Sequence, residues 1–235
     1  MKLKDKSMRR LSYPRLILVC VFSLWFASAA WAQSSTSLST AEQIIRAARF
    51  DDVKTIKQYA DQQGDINLAE PDRGETLLMI SVRENSQRVF EYLLQHPKSQ
   101  LDQRAKNGDT AIMLAAYLEQ KESVQHLIDA GAQVNQQGWT ALHYAAVVGH
   151  FQIIQLLIKQ RADVNAETPN KTTPLMLAAR RGEMTVVKYL IAEGADISLK
   201  NMLGWTAYDF AVESERRDIA AMLQELMLTS TRARK

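Results

Sequence analysis

"GWTALHYAAVVGHFQIIQLLIKQRADVNA", Gly138–Ala166, decides the fold of this 235-residue chain. Gly138 and the residues before it read as a turn. Thr140 stands where an N-cap would, its hydroxyl placed to accept from an orphan N–H of the first helical turn. Apolar residues then recur at helical spacing through Val148, and the pair Ala145–Ala146 lets a neighbouring helix approach closely. Gly149 breaks this short helix. A second one follows in "FQIIQLLIKQ" (151–160) and ends at "RADVN", where Arg161 replaces the glycine expected at a helix C-terminus. Two such short helices cannot bury their own apolar face, so the pattern predicts stacking on neighbours of the same kind.

The neighbours are there. "GETLLMISV" begins at Gly74, "GDTAIMLAA" at Gly108, "KTTPLMLAA" at Lys171 and "GWTAYDFAV" at Gly204. Their threonines, with Thr140, are Thr76, Thr110, Thr173 and Thr206, spaced by 34, 30, 33 and 33 residues. An incomplete unit lies upstream in "AEQIIRAARFDDVKTIKQYADQQGDIN", with Ala47–Ala48 in register with Ala115–Ala116. Second helices are repeated in "MTVVKYLIAE" (184–193), and glycine turns in "GAQVN" (131) and "GADIS" (194).

On residues 138–166 and 173–197 the chain resembles the ankyrin-repeat family nearly end to end. The resemblance implies an all-α solenoid of about six helix–turn–helix units joined by short β-hairpin-like loops. The expected units lie near 40–71, 72–105, 106–135, 136–168, 169–201 and 202–228. The first unit lacks the Thr-Pro-Leu-His pattern and the last reads "TAYDFA", as expected of ends with one wet face. The unit at Gly74 is degenerate, with "SV" for the Ala pair and "HPKSQLD" for the turn, so its helix packing is the least secured by pattern.

Residues 1–32 are set apart from the fold. Six basic residues (Lys2, Lys4, Lys6, Arg9, Arg10, Arg15) face one acid, Asp5, ahead of the uncharged run "LILVCVFSLWFASAA" and the small-x-small sequence Ala30-Trp31-Ala32. This is the pattern of a cleavable secretory signal; the apolar run is short for the ~20 residues of a spanning helix. Val19 before Cys20 is a poor fit to a lipoprotein signal, and "LSY" after Arg9-Arg10 a weak one to twin-arginine export. Cleavage after Ala32 removes the one cysteine and leaves 23 basic against 25 acidic residues. The expectation is an exported, periplasmic protein without disulfides, with no further membrane segment and no electrostatic case for nucleic acid. Residues 33–39 read as a flexible lead-in and 229–235 as a basic tail.

No catalytic constellation appears: there is no G-x-S-x-G elbow, phosphate-cradling glycine loop or H-E-x-x-H. The expectation is a non-enzyme without cofactor or metal. The resemblance implies that His143 hydrogen-bonds within its turn–helix junction. His150 starts a second helix, His126 lies on the outward side of another, and His96 in the degenerate turn. Met79, Met113 and Met176 hold the place of His143 in their units and read as core.

What remains is recognition. The resemblance implies a concave surface whose contact positions flank the glycine before each threonine and follow the Ala pair. These are Arg73 and Glu75 in one unit; Lys106, Asn107, Asp109 and Tyr117 in the next; and Gln137 and Trp139 in the third. Asn170, Thr172, Arg180 and Arg181 follow, and Trp205 in the last. Trp139 and Trp205 share one position, between Gly and Thr, and Trp is enriched at interface hot spots; the alternative is that the rings lie on a neighbouring hairpin. The 30-residue spacing predicts a clipped loop before Trp139, since "GAQVNQQGWT" lacks three residues present in "RADVNAETPNKTT". The functional expectation is a free monomer that docks one folded protein partner, as an accessory protecting or maturing an exported enzyme. The alternatives are an immunity protein neutralising a periplasm-targeted effector and a secreted effector acting in a host cell. A Gram-negative source is inferred from the signal.

Overall fold

A computed structural model describes residues 38–233, with side chains through Thr229. The expected signal at 1–32, most of the lead-in and the end of the tail lie outside the described residues. Among the described residues there are twelve helices in six pairs. The inner members are α1 (Thr40–Arg49), α3 (Leu77–Arg83), α5 (Ala111–Tyr117), α7 (Ala141–Val148), α9 (Pro174–Arg181) and α11 (Ala207–Glu213). The outer members are α2 (Val53–Asp61), α4 (Gln87–Gln95), α6 (Lys121–Asp129), α8 (Phe151–Lys159), α10 (Met184–Ala192) and α12 (Arg217–Ala233).

The inner helices begin where the threonines put them. Thr76, Thr140 and Thr173 accept from the N–H three residues on, of Met79, His143 and Met176. Thr206 works the other way: its N–H and hydroxyl both donate to Asp209. Thr110 departs from the expectation, for its buried hydroxyl has no partner. Each inner helix stops at a residue with positive φ. Gly149 (81°) and Gly182 (95°) adopt it freely, whereas Asn85, Glu119 and Glu215 hold the same place at 55–60°. Arg161, at 62°, does stand in for the glycines at 131 and 194.

The Ala pairs are sealed: Ala115, Ala116, Ala145, Ala146, Ala178 and Ala179 are all 0% exposed. Small side chains there let inner helices lie against one another along the whole stack, while outer neighbours meet less extensively. The inner row is therefore the more closely packed of the two. The degenerate unit packs like the others. Ser81 and Val82 are buried, and the Ser81 hydroxyl donates to the Leu78 carbonyl, so the polar substitute costs little. In the last described pair Val212 occupies the second Ala position and is 50% exposed, since among the described residues no further inner helix packs on it. The expected tail at 229–235 is helical as far as Ala233: α12 runs for 17 residues, with the Thr229 hydroxyl donating back to the carbonyls of Glu225 and Leu226.

Candidate protein-binding surface

Between an outer helix and the next threonine the chain makes a projecting finger. Four fingers close on themselves through a backbone bond: Glu70 N–H to Glu75 O, Ala105 to Asp109, Thr168 to Thr172, and Asn201 to Trp205. Side chains brace the loops. The buried Glu70 carboxylate accepts from the N–H groups of Asp72, Arg73 and Glu75. Burial alone would raise its pKa, but these bonds and nearby Arg73 together hold it below the usual range. Asn201 does the same for Leu203 and Trp205.

The finger at Trp139 has no such closing bond among the described residues. Its shortening can be placed to the residue. Asn67, Asn135 and Asn165 each donate their amide to a carbonyl of the next unit (Lys98, Arg161, Gly194) and accept from an N–H there (Gln100, Asp163, Asp196). Asn135 and Asn165 are thus equivalent, and the three missing residues fall between Asn135 and Thr140, inside the finger. Neighbouring full fingers are tied tip to tip, Lys106 N–H to Arg73 O and Met202 N–H to Asn170 O. That row of bonds is interrupted at the short finger. Arg104 spans the gap by donating to the carbonyls of Gly108 (2.6 Å) and Gln137 (3.3 Å), and Pro169 faces Gly138 from the other side.

Beside the gap the structure assembles an aromatic cluster. Tyr144 touches Trp139 (centroids 5.2 Å apart) and Tyr117 (5.9 Å, edge to face), and its hydroxyl donates to Asp109 Oδ1. Burial and the Asp109 carboxylate push the Tyr144 phenol well above its usual pKa, so it stays a neutral donor. Trp139 also meets the His143 ring at 5.6 Å. Its indole is thus half-buried against the inner helix of its own unit. Tyr117 is 48% exposed. Trp205 sits in the same way on Phe210 (5.8 Å).

His143 is 0% exposed. Its Nδ1 accepts from the Thr140 N–H and hydroxyl, which leaves Nε2–H to donate to the Thr172 carbonyl of the next unit. The bonds to Thr140 lie within its own turn–helix junction, as the resemblance implied, and the bond to Thr172 joins it to the next unit as well. Burial lowers its pKa to about 4, against the raising influence of the bond to Thr172.

The structure brings Asp109, Tyr117 and Trp139 together and leaves Arg73, Lys106, Asn107, Gln137, Asn170, Arg180, Arg181 and Trp205 exposed or partly exposed along the same row. Two expected contact residues need correcting. Glu75 is 4% exposed and is held by Arg83 Nε at 2.9 Å and by a second bond from the same guanidinium, with Arg73 beside it. Thr172 is 4% exposed, with its N–H bonded to Thr168 and its carbonyl to His143. The Glu75 side chain is turned inward by Arg83 on the adjoining helix, and Thr172 is covered where its backbone bonds to Thr168 and His143 hold it. Two residues escaped the sequence reading, Tyr144 and Arg104. Tyr144 stands at a position filled elsewhere by buried Ile80, Leu114, Leu177 and Phe210; a phenol there needs a polar outlet, and that was the available signal. Nothing in the sequence pattern marks Arg104. Among the described residues no group of three or more His, Cys, Asp or Glu could hold a metal ion, and no helix is long and apolar enough to cross a membrane.

A family described as "Ankyrin repeats (3 copies)" matches residues 44–137, 97–168 and 160–230. The chain is 31% identical to human Neurogenic locus notch homolog protein 1 over 176 residues, 68% of this chain and 7% of that protein. It is 28% identical to Protein glp-1 of Caenorhabditis elegans over 155 residues, 59% of this chain and 12% of that one. Against mouse Ankyrin repeat and SAM domain-containing protein 6 it is 40% identical over 80 residues, 34% of this chain and 9% of that one. The matched stretch is thus a small part of each of these relatives.

Proposed function

The chain belongs to the ankyrin-repeat family, typically a non-catalytic protein-interaction module, and on that premise we propose that it is a non-enzymatic adaptor that docks a folded protein on its inner face. The observation that carries this reading is the cluster Tyr117–Tyr144–Trp139, whose three residues all keep exposed area beside a gap in the finger row. Aromatic residues that keep exposed area at a concave site supply binding energy at small cost in side-chain entropy. The exposed Arg180 and Arg181 one unit further on extend the surface. An interface of ordinary size would bury ~1,200–2,000 Å² in total, which several consecutive units can provide.

The export pattern of residues 1–32 supports a periplasmic site of action and a partner that is itself exported, such as an enzyme that needs protection or maturation. The test is affinity capture from periplasmic extract with the native protein and with a Trp139→Ala/Arg181→Ala variant. A partner retained by the native protein and lost by the variant is expected. Equal retention by both would refute the assignment of this face. Mass spectrometry of the periplasmic fraction tests the location, the expected N-terminus being Gln33.

A further inference from the structure

The aromatic cluster carries a polar group whose charge the chain leaves unmatched. Asp109 Oδ1 accepts from Tyr144, and Oδ2 accepts from the Asn107 amide. Both donors are neutral, and among the described residues Asp109 takes part in no ion pair. The surrounding cations are committed elsewhere. Arg83, whose pKa is raised chiefly by its bonds to Glu75, also feels the Asp109 charge, but Glu75 already neutralises it. Lys106 Nζ donates to the Pro71 carbonyl, and Arg104 donates to Gly108 and Gln137. None of these lies over the rings of Tyr117, Tyr144 or Trp139. The chain does set cations over rings elsewhere, Arg46 on Phe50 at 5.7 Å and Lys57 on Tyr92 at 5.5 Å.

We infer that the Tyr117–Tyr144–Trp139 cluster with Asp109 receives a cationic side chain, an arginine or lysine presented by the docked protein. This rests on the protein-binding reading and specifies the chemistry of the partner. Three electron-rich rings attract a cation through their quadrupoles, most strongly over tryptophan. A carboxylate at the edge of the cluster adds Coulombic attraction and accepts a guanidinium or ammonium hydrogen bond. An apolar anchor would gain from the rings alone and would leave Asp109 with an unmatched charge beneath the interface, which is costly. The Asn107 amide and the Tyr144 hydroxyl already aim both carboxylate oxygens, so the group needs little reorganisation to take a cation. Arg180, exposed one unit away, sets the opposite polarity, with Arg181 beside it already facing Glu183 at 4.0 Å, so the docked segment is expected to carry an acidic group towards Arg180.

The probe is N-acetyl-arginine-N-methylamide, with the citrulline analogue as its neutral isostere, titrated into the protein and followed by the assigned Trp139 indole resonance. Saturable shifts with the arginine compound and several-fold weaker binding of the citrulline compound are expected. Tyr117→Ala should abolish the response, and Asp109→Asn should weaken it roughly five-fold; melting curves of both variants check that they fold. Equal shifts with both compounds, no saturable shift with either, or an unaltered response in Tyr117→Ala would overturn the inference. A captured partner that depends on Trp139 but binds Asp109→Asn as tightly as the native protein would also refute it, while the protein-binding reading stands.

Discussion

His143 makes the middle of the stack acid-labile. In the folded chain its imidazole is fully buried, and Nδ1 must stay unprotonated to accept from the Thr140 N–H and hydroxyl. Its pKa falls from 6.5 to about 4, burial being the main cause. The unfolded chain therefore binds a proton at a higher pH than the folded chain does. Stability is insensitive to this group above pH 6.5, falls as the pH drops from 6.5 to 4, and has lost its full increment below 4. At 1.36 kcal/mol per pH unit, a shift of this size corresponds to about 3 kcal/mol, or roughly 6–12 °C in melting temperature for a domain of this length. Carboxylates held below their usual range, Glu70 among them, begin to lose their stabilising contribution at the acid end of this window, so the comparison must be made against a variant that keeps them. His143→Met is suitable, because Met79, Met113 and Met176 fill the same position elsewhere, all buried, and the Met176 sulfur accepts from the Thr173 N–H at 3.4 Å. The Thr172 carbonyl still receives Thr168, so the variant should lose only about 1 kcal/mol at pH 7. Thermal and urea denaturation between pH 7 and pH 4 is the assay. The native protein should lose about 3 kcal/mol more than the variant over that range. Parallel losses in the two proteins would show that His143 titrates as in the unfolded chain, and the reasoning would fail.

Arg83→Ala removes the main partner of the buried Glu75 carboxylate; because Arg83 is about a third exposed and Arg73 remains nearby, a loss of about 2 kcal/mol is expected in urea denaturation. Asn165→Ala breaks two bonds to the next unit and should cost about 1–2 kcal/mol, with faster amide exchange at Asp196. Arg104→Ala should leave global melting nearly unchanged but accelerate exchange at 134–139, since that side chain links the short finger to its neighbour. Inserting Glu-Thr-Pro after Asn135 restores a full finger at little cost in stability, because loop closure grows slowly with length; it should abolish partner capture if the partner enters through the gap, and unimpaired capture would exclude that route.

Periodicity carried most of the architecture. Threonines at near-constant spacing, an Ala pair and glycine stops are local features repeated unit by unit, and each unit contacts its neighbours in sequence, so the solenoid is legible without long-range information. The clipped finger was legible too, because a count of residues between fixed marks does not depend on packing. The threonine caps were only partly so: Thr206 turns to the Asp209 carboxylate at the third helical position, and the departure of Thr110, followed like Thr76 by a methionine there, has no counterpart in the sequence pattern. Exposure could not be read from position alone. Glu75 and Thr172 occupy contact positions in the repeat and yet are buried, because Arg83 bonds the Glu75 carboxylate and Thr168 and His143 both bond the Thr172 carbonyl, partners that only the folded stack places there. Tyr144 reads as core from its place in the helix, but Asp109, 35 residues earlier, draws its hydroxyl towards the surface and joins Tyr117 and Trp139 into one cluster. The sequence by itself determined the repeat, its count and the length of each finger, because these are properties of the chain's own spacing. Only the tertiary structure decided which polar side chains are already matched and which remain for a partner, because that depends on charges brought together from neighbouring units.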